Sequence, residues 1–288
     1  MIKHILDTHV HVWNLEKVRY AWLENDTSIL NKTYSIEQLT PHLSKANVTQ
    51  GILVQAANNF DDTDMMLDVA IRTDWIKGVV GWLPLTNPAA TEKALTEKYL
   101  KNSNFIGVRH LIHNEGDSQW LLQSAVMNSL KMLPQHHLTY DIVGVNEDHL
   151  KTAIGVAEKV PDLKMVFDHL NQPPIATKER FGKWGKLMKE AAEHNNLYAK
   201  ISGLGTTAGN GNNWTKEDLK PYIMYALELF GVNRCFCGGD WPVALLGGAY
   251  EKAWLAYQQI FAEELTIEEQ EKVLYKNAAL FYNLSAQL

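Results

Sequence analysis

The sequence predicts a (β/α)8 barrel forming one domain over residues 1–288, with a long loop after the first strand and an extra helix at the C-terminal end. Three observations carry this prediction. Short apolar runs alternate with amphipathic stretches, giving eight β-then-α units in about 260 residues, the strand count and length of such a barrel. The runs are nearly continuous in apolar character, as in parallel strands buried on both faces. The turn after the first run holds histidines where an open doubly wound sheet would be expected to carry a glycine-rich phosphate turn.

The first strand lies within residues 5–13, a β-prone run interrupted by Asp7, Thr8, His9 and His11. Residues 14–34 form a connection containing Tyr20, Trp22 and Leu23, and its aromatics predict a folded flap over the end of that strand. Ser35 with Gln38 makes a capping box, and Ile36, Leu39 and Leu43 give the stripe of a helix ending near Asn47. Strands at 51–56, 76–82 and 105–111 then alternate with helices at 61–74, 89–101 and 118–133. Strand five covers 138–143, followed by a helix from Asn146 or Glu147 to Val160, and strand six covers 163–169. After Gln172-Pro173-Pro174 come a helix at 179–195 and strand seven at 197–202. A Gly- and Asn-rich loop at 203–213 leads to a helix at 215–230 and strand eight at 234–238. Helices at 248–263 and 266–282, the second opened by the Thr266 to Glu269 capping box, close the chain.

Apolar residues make up 46% and charged residues 21%, a globular balance. A net charge of -6 with pI near 6.0 gives no general attraction for nucleic acid or anionic membrane, leaving a small-molecule substrate as the expected partner. No apolar run approaches the roughly 18 residues of a membrane helix, and Asp7 and His9 interrupt any signal-peptide core, so the cytoplasm is the expected compartment. Cys235 and Cys237, two apart on one strand, are poorly spaced for a disulfide and too few for a metal site; they read as reduced core thiols.

Catalytic residues of a barrel collect at the C-terminal ends of its strands. His9 and His11 share one strand face, and two inward imidazoles need partners. A regular strand would put Asp7 on that face too, one layer deeper, able to orient a histidine ring. Arg109 and His110 end strand four, Asp141 lies in strand five, Asp168 and His169 end strand six, and Asp240-Trp241-Pro242 follows strand eight. Alternation lets only one of each adjacent pair face inward, and Arg109 and His169 are the expected choices. Asp240, after Gly238-Gly239, can take a proton from water or hold a cation; sequence alone does not choose. Trp22, Trp82, Trp241, Gln55 and His110 are expected to bind substrate, the aromatics as a wall for a sugar or planar ring. Trp13 also falls near a strand end, whereas Trp75, Trp184, Trp214 and Trp254 read as packing residues.

The ordered set Asp7-Thr8-His9-Val10-His11, Gly107-Val108-Arg109, Asp168-His169, Lys200-Ile201-Ser202-Gly203-Leu204 and Gly238-Gly239-Asp240-Trp241-Pro242-Val243, followed by Asn277-Ala278 and Tyr282, resembles the amidohydrolase-related (amidohydrolase 2) metal-dependent hydrolases. Within them it resembles the sugar lactonase branch of L-fuconolactonase-like and L-rhamnonolactonase-like enzymes. The resemblance implies a site built from His9, His11, His169 and Asp240. One departure is Gly239, where members commonly carry serine, which puts any role of that hydroxyl in doubt. Arg109 and His110 stand where binuclear members of the wider superfamily place a bridging lysine, so a two-metal site is not expected.

The expected activity is opening of a sugar-acid lactone such as L-fuconolactone or L-rhamnonolactone, with Asp240 as general base and Arg109 and His169 beside it. At most one divalent cation is expected, zinc first by donor type, held by His9 and His11 with His169 and Asp240 as further ligands; metal-independent catalysis stays open. The alternative is a metal-dependent nonoxidative decarboxylase of an unsaturated or aromatic acid. A noncatalytic barrel would leave the strand-end histidines and aspartate without a purpose.

Overall fold

The computed structural model describes residues 2–284. Eight parallel strands run in sequence order around one sheet: β1 Leu6–Val10, β2 Gln50–Val54, β3 Ile76–Gly81, β4 Phe105–His110, β5 Thr139–Ile142, β6 Met165–Phe167, β7 Leu197–Ile201 and β8 Cys235–Cys237. The ring closes through the segment after β8. Thr8 Oγ1 donates to the Cys237 carbonyl, Asp240 N to the His9 carbonyl and His11 N to the Trp241 carbonyl, each at 2.7 Å. His9 and Asp240 therefore meet across the seam, as a barrel requires.

Helices cover the outside: α1 Ile36–Ala46, α2 Phe60–Ile71, α3 Pro88–Glu97, α4 Ser124–Leu130, α5 Glu147–Lys159, α6 Gly182–Ala192, the short α7 Leu204–Thr207, α8 Lys216–Phe230 and α9 Tyr250–Glu264. The capping boxes at Ser35–Gln38 and Thr266–Glu269 both form. The latter opens α10, Ile267–Glu271, which runs through a π turn at Lys272–Lys276 into α11, Asn277–Phe281. This last segment stops the lower end of the barrel. Ala278, Phe281 and Tyr282 pack into an interior cluster with Leu6, Ile52, Val54, Val80, Ile106, Val166 and Phe236. Among the described residues no helix is long and apolar enough to cross a membrane.

Three local expectations are corrected. Residues 118–133 do not form one helix: a 3-10 turn at Trp120–Leu122 precedes α4, with Gln123 extended between them (ψ 139°). This break lets Trp120 stack on His110 at 4.0 Å. Strand six stops at Phe167, because His169, Leu170, Asn171 and Gln172 all take left-handed backbone. Strand one is not regular. Asp7 pairs with Gly51 and Val10 with Leu53, so β1 carries an extra residue against β2, a bulge between Asp7 and Val10. Leu6 therefore faces the barrel interior and Asp7 the helix layer, while His9 and His11 turn back inward.

Candidate active site

The bulge in β1 sets the orientation of the first donors. His11 Nδ1 donates to the Val54 carbonyl at 2.7 Å, an oxygen that only accepts, so its Nε2 presents a lone pair. His9 Nε2 lies 3.1 Å from that nitrogen, and His9 Nδ1 lies 3.3 Å from Asp168 Oδ1. From across the seam Asp240 Oδ1 comes within 3.8 Å of His9 Nε2, 3.5 Å of His11 Nε2 and 3.8 Å of His169 Nε2. All four residues are buried.

Asp7 does not orient an imidazole ring as a regular strand would have it. On the outer side of β1 it accepts from His9 N (2.9 Å), Gly239 N (2.7 Å) and Tyr250 Oη (2.7 Å), tying together the backbones that carry His9 and Asp240. Burial pushes its carboxyl up to about 6. A Cβ at Gly239 would lie 2.5 Å from Asp7 Oδ2 and 2.4 Å from the Tyr250 ring, so a serine there would need this neighbourhood to shift.

The expectation that Asp168 and His169 cannot both face inward fails, because strand alternation ends at Phe167. Asp168 reaches Arg109 Nη1 (3.0 Å) and Lys200 Nζ (2.8 Å), while His169, at φ 54°, turns its ring toward Asp240. Ser202 Oγ accepts the His169 backbone N–H at 3.1 Å and lies 2.9 Å from His169 Nδ1. Burial alone would raise the Asp168 carboxyl, but Lys200, His9 and Arg109 outweigh it and hold the group well below its usual range. Burial also lowers His9 far below the ordinary histidine value, and lowers His169, so both rings favour the neutral form.

Above these groups opens a cavity of about 240 Å³, lined by His11, Arg109, His169 and Asp240 below and by Trp13 and Trp22 from the β1 side. Trp22 belongs to the folded connection after β1, its Nε1 donating to the Ala56 carbonyl at 2.8 Å. Arg109 is fixed by Asp168 and by a hydrogen bond from Nη2 to the Gln55 carbonyl. Gln55 does not line the cavity; its side chain donates to the Arg109 carbonyl (3.2 Å) and so supports that residue from behind. Trp82 and His110 are also elsewhere. Alternation turns His110 outward, where it accepts from Trp82 Nε1 (3.0 Å) and pairs with Glu115 (2.7 Å). Trp241 packs edge-on against Tyr34 at 5.4 Å and contributes its carbonyl to the seam.

Sequence reasoning passed over several members. His113, on the turn after β4, lines the cavity with Gln172, Thr206 and Thr207, and burial pushes its imidazole down to about 4. A histidine beyond a strand end carries no periodic signal. Lys200 stands in β7, fully buried among Asp141, Asp168 and His9. The sequence sets it in the Lys200–Leu204 motif without giving it a role.

Nε2 of His9, Nε2 of His11 and a carboxylate oxygen of Asp240 converge closely enough to share an ion. His11 Nε2 offers a lone pair here, His9 Nε2 lies 3.1 Å from it, and Asp240 Oδ1 is within 3.8 Å of both, so two imidazoles and a carboxylate meet at one point. The donor set fits a divalent metal, with His169 as a further donor.

The chain is similar to known proteins along nearly its whole length. An L-fucono-1,5-lactonase of Burkholderia ambifaria is 30% identical over 282 residues, 97% of this chain and 95% of that protein. One from Burkholderia multivorans is 26% identical over 287 residues, 97% and 96% of the two chains. The crystal structure of an amidohydrolase from Burkholderia multivorans with bound zinc superimposes with a TM-score of 0.88 at 25% identity, over 97% of this chain and 99% of that one. The amidohydrolase family model itself matches residues 6–284, from the start of β1 through the helix that stops the barrel, and the chain belongs to the amidohydrolase 2 family.

Proposed function

We propose that the protein hydrolyses the lactone ring of a sugar acid, an aldonolactone of the L-fuconolactone or L-rhamnonolactone kind, with Asp240 as general base. The observation that carries the reading is the placement of Asp240 Oδ1 within 3.8 Å of three imidazoles at the floor of a cavity walled by Trp13 and Trp22. The likeness to two L-fucono-1,5-lactonases supports the substrate class. An aromatic wall suits the apolar face of a sugar ring.

Asp240 takes a proton from water as the water oxygen bonds to the lactone carbonyl carbon. The negative charge that develops on the carbonyl oxygen needs a fixed positive group, and Arg109, held on Asp168 and the Gln55 carbonyl, faces the same cavity. When the tetrahedral centre collapses, the ring C–O bond breaks and Asp240 returns its proton to the departing oxygen, which becomes a hydroxyl of the free acid. His9, His11 and Asp240, with His169, would hold one divalent cation, zinc by donor type, whose chemistry is Lewis-acid polarisation of the carbonyl.

A panel of 1,4- and 1,5-aldonolactones, read by acid release, tests the reading. Asp240→Asn should lower kcat by roughly 10²-fold or more, the effect of losing a general base. Near wild-type turnover in that variant would remove Asp240 from the role. Carbon dioxide release from an unsaturated or aromatic acid, with no lactone opened, would replace the reading by a decarboxylase.

A further inference from the structure

We propose that His113 is a specificity residue that hydrogen-bonds a hydroxyl of the substrate ring, and that His110 and Glu115 are positioning residues that hold it over the cavity. The inference rests on the reading of the cavity as the seat of a polyhydroxylated lactone.

The walls of the cavity are unequal. Above Arg109, on the side formed by the loops after β4 and β5, the lining residues are Leu111, His113, Val143 and Val145. Among the described residues His113 is thus the one polar side chain on that wall. On the β6 and β7 side the Thr207 hydroxyl already donates to the Gly203 carbonyl at 3.1 Å and to Gln172 Oε1 at 3.3 Å. A neutral imidazole has one donor and one acceptor nitrogen. The Val143 backbone engages the His113 ring once, which leaves a nitrogen for a hydroxyl in the cavity. A sugar that places a hydroxyl at His113 keeps it paired, whereas an epimer that turns it onto Leu111, Val143 or Val145 buries it unpaired.

His113 sits in the middle of a short arch. It belongs to a 3-10 turn, Ile112–Asn114, that leaves the end of β4 and returns at Glu115. A side-chain bond closes the arch at its base, with His110 Nε2 2.7 Å from Glu115 Oε1. Trp82 Nε1, which can only donate, meets His110 Nδ1 at 3.0 Å, so the neutral His110 ring carries its proton on Nε2 and donates to the carboxylate. Trp120 stacks on the same ring at 4.0 Å, and Asn58 Oδ1 accepts from Leu111 N at 2.9 Å. His110, Glu115, Trp82, Trp120 and Asn58 do not line the cavity, so this cluster reaches a bound molecule through Leu111 and His113. His110 and Trp82 therefore stand behind the site rather than in it. Glu115 is partly exposed, so truncating it spares the core.

The test compares the full-length protein with its variants on two substrates: the best aldonolactone of the panel, and δ-valerolactone, a six-membered lactone without hydroxyls. The readout is the ratio of kcat/KM for the first to kcat/KM for the second. In His113→Leu this ratio should fall about 10- to 100-fold, the range for leaving a hydroxyl unpaired against apolar side chains. His113→Gln, which keeps a donor and an acceptor, should recover part of the loss. Glu115→Ala should lower the ratio about 3- to 10-fold, through KM rather than kcat, the scale of one hydrogen bond loosened. Glu115→Gln keeps an acceptor for His110 Nε2 and should restore it. A ratio within about twofold of wild type in His113→Leu would overturn the assignment of His113. An unchanged ratio in Glu115→Ala, or one that Glu115→Gln fails to restore, would overturn the clamp. Should the wild type open no lactone, the proposed activity fails, and calorimetry with L-fucono-1,5-lactam, an unreactive hydroxylated ring, decides this inference by itself. Binding about tenfold tighter to wild type than to His113→Leu would support it, and equal binding or none would overturn it.

Discussion

A Cβ at position 203 would lie 2.6 Å from His169 Nδ1 and 2.8 Å from Asp240 Oδ2, on a backbone whose φ is 62°. Two independent reasons thus favour glycine there: the left-handed conformation, and the close approach of two site residues. Gly203→Ala should leave the barrel folded at a cost of about 1–2 kcal/mol. By displacing His169 or Asp240 it should lower kcat roughly 10²-fold, measured on the best lactone beside a thermal melt. A variant with wild-type kcat would show that the site tolerates the displacement. The four left-handed residues from His169 to Gln172 carry similar strain. They are held by His169 N on Ser202 Oγ (3.1 Å) and by Trp184 Nε1 on the Leu170 carbonyl (2.8 Å).

At the scale of elements, the connection after β1 behaves as part of the site. Its anchor is Tyr20 Oη, which donates to Asp62 Oδ1 at 2.7 Å, while Asp62 Oδ2 accepts from Ala56 N (2.7 Å) and Ala57 N (3.1 Å). Burial raises the Asp62 carboxyl from 3.8 to about 6, and the Tyr20 hydroxyl draws it down. A carboxyl raised on folding contributes stability below its unfolded pKa and loses it as pH rises through the folded one. Tyr20→Phe raises the folded value further. Its destabilisation, about 1–2 kcal/mol by denaturant titration, should therefore be larger at pH 8 than at pH 5. Because Tyr20 adjoins Trp22, KM should rise more than kcat falls. A destabilisation equal at both pH values would mean that the carboxyl does not depend on this donor. The flap was legible from its aromatics and length. The broken helix at 118–133 was not, since periodicity does not register Trp120 leaving the helix to stack on His110.

For the whole molecule, the C-terminal segment is a structural stopper as well as the base of the site. Phe281 lies 5.2 Å from Phe236 and 4.8 Å from Tyr198, ring centre to ring centre, and is 1% exposed. Phe281→Ala should destabilise the protein by about 3–5 kcal/mol, checked by guanidinium unfolding, since the cavity opens in an interior shared by several strands. A loss under about 1 kcal/mol would indicate that the segment docks only loosely.

Strand count, the alternation with helices, both capping boxes and the pairing of His9, His11 and Asp240 across the closing seam all follow from local pattern read along the chain. They are local because a strand's period and a helix's caps depend on residues a few positions apart, and strand order in a barrel follows chain order. Other features required the tertiary structure. The bulge that turns Asp7 outward is a mismatch between two strands, visible only in their pairing. Asp168 and His169 both reach the site because the strand ends one residue before them, on a turn stabilised by Ser202 and Trp184 from other elements. Lys200, Asp141 and Tyr282 meet although they are far apart in sequence, because a buried charge takes its partners from whatever the packing brings to it.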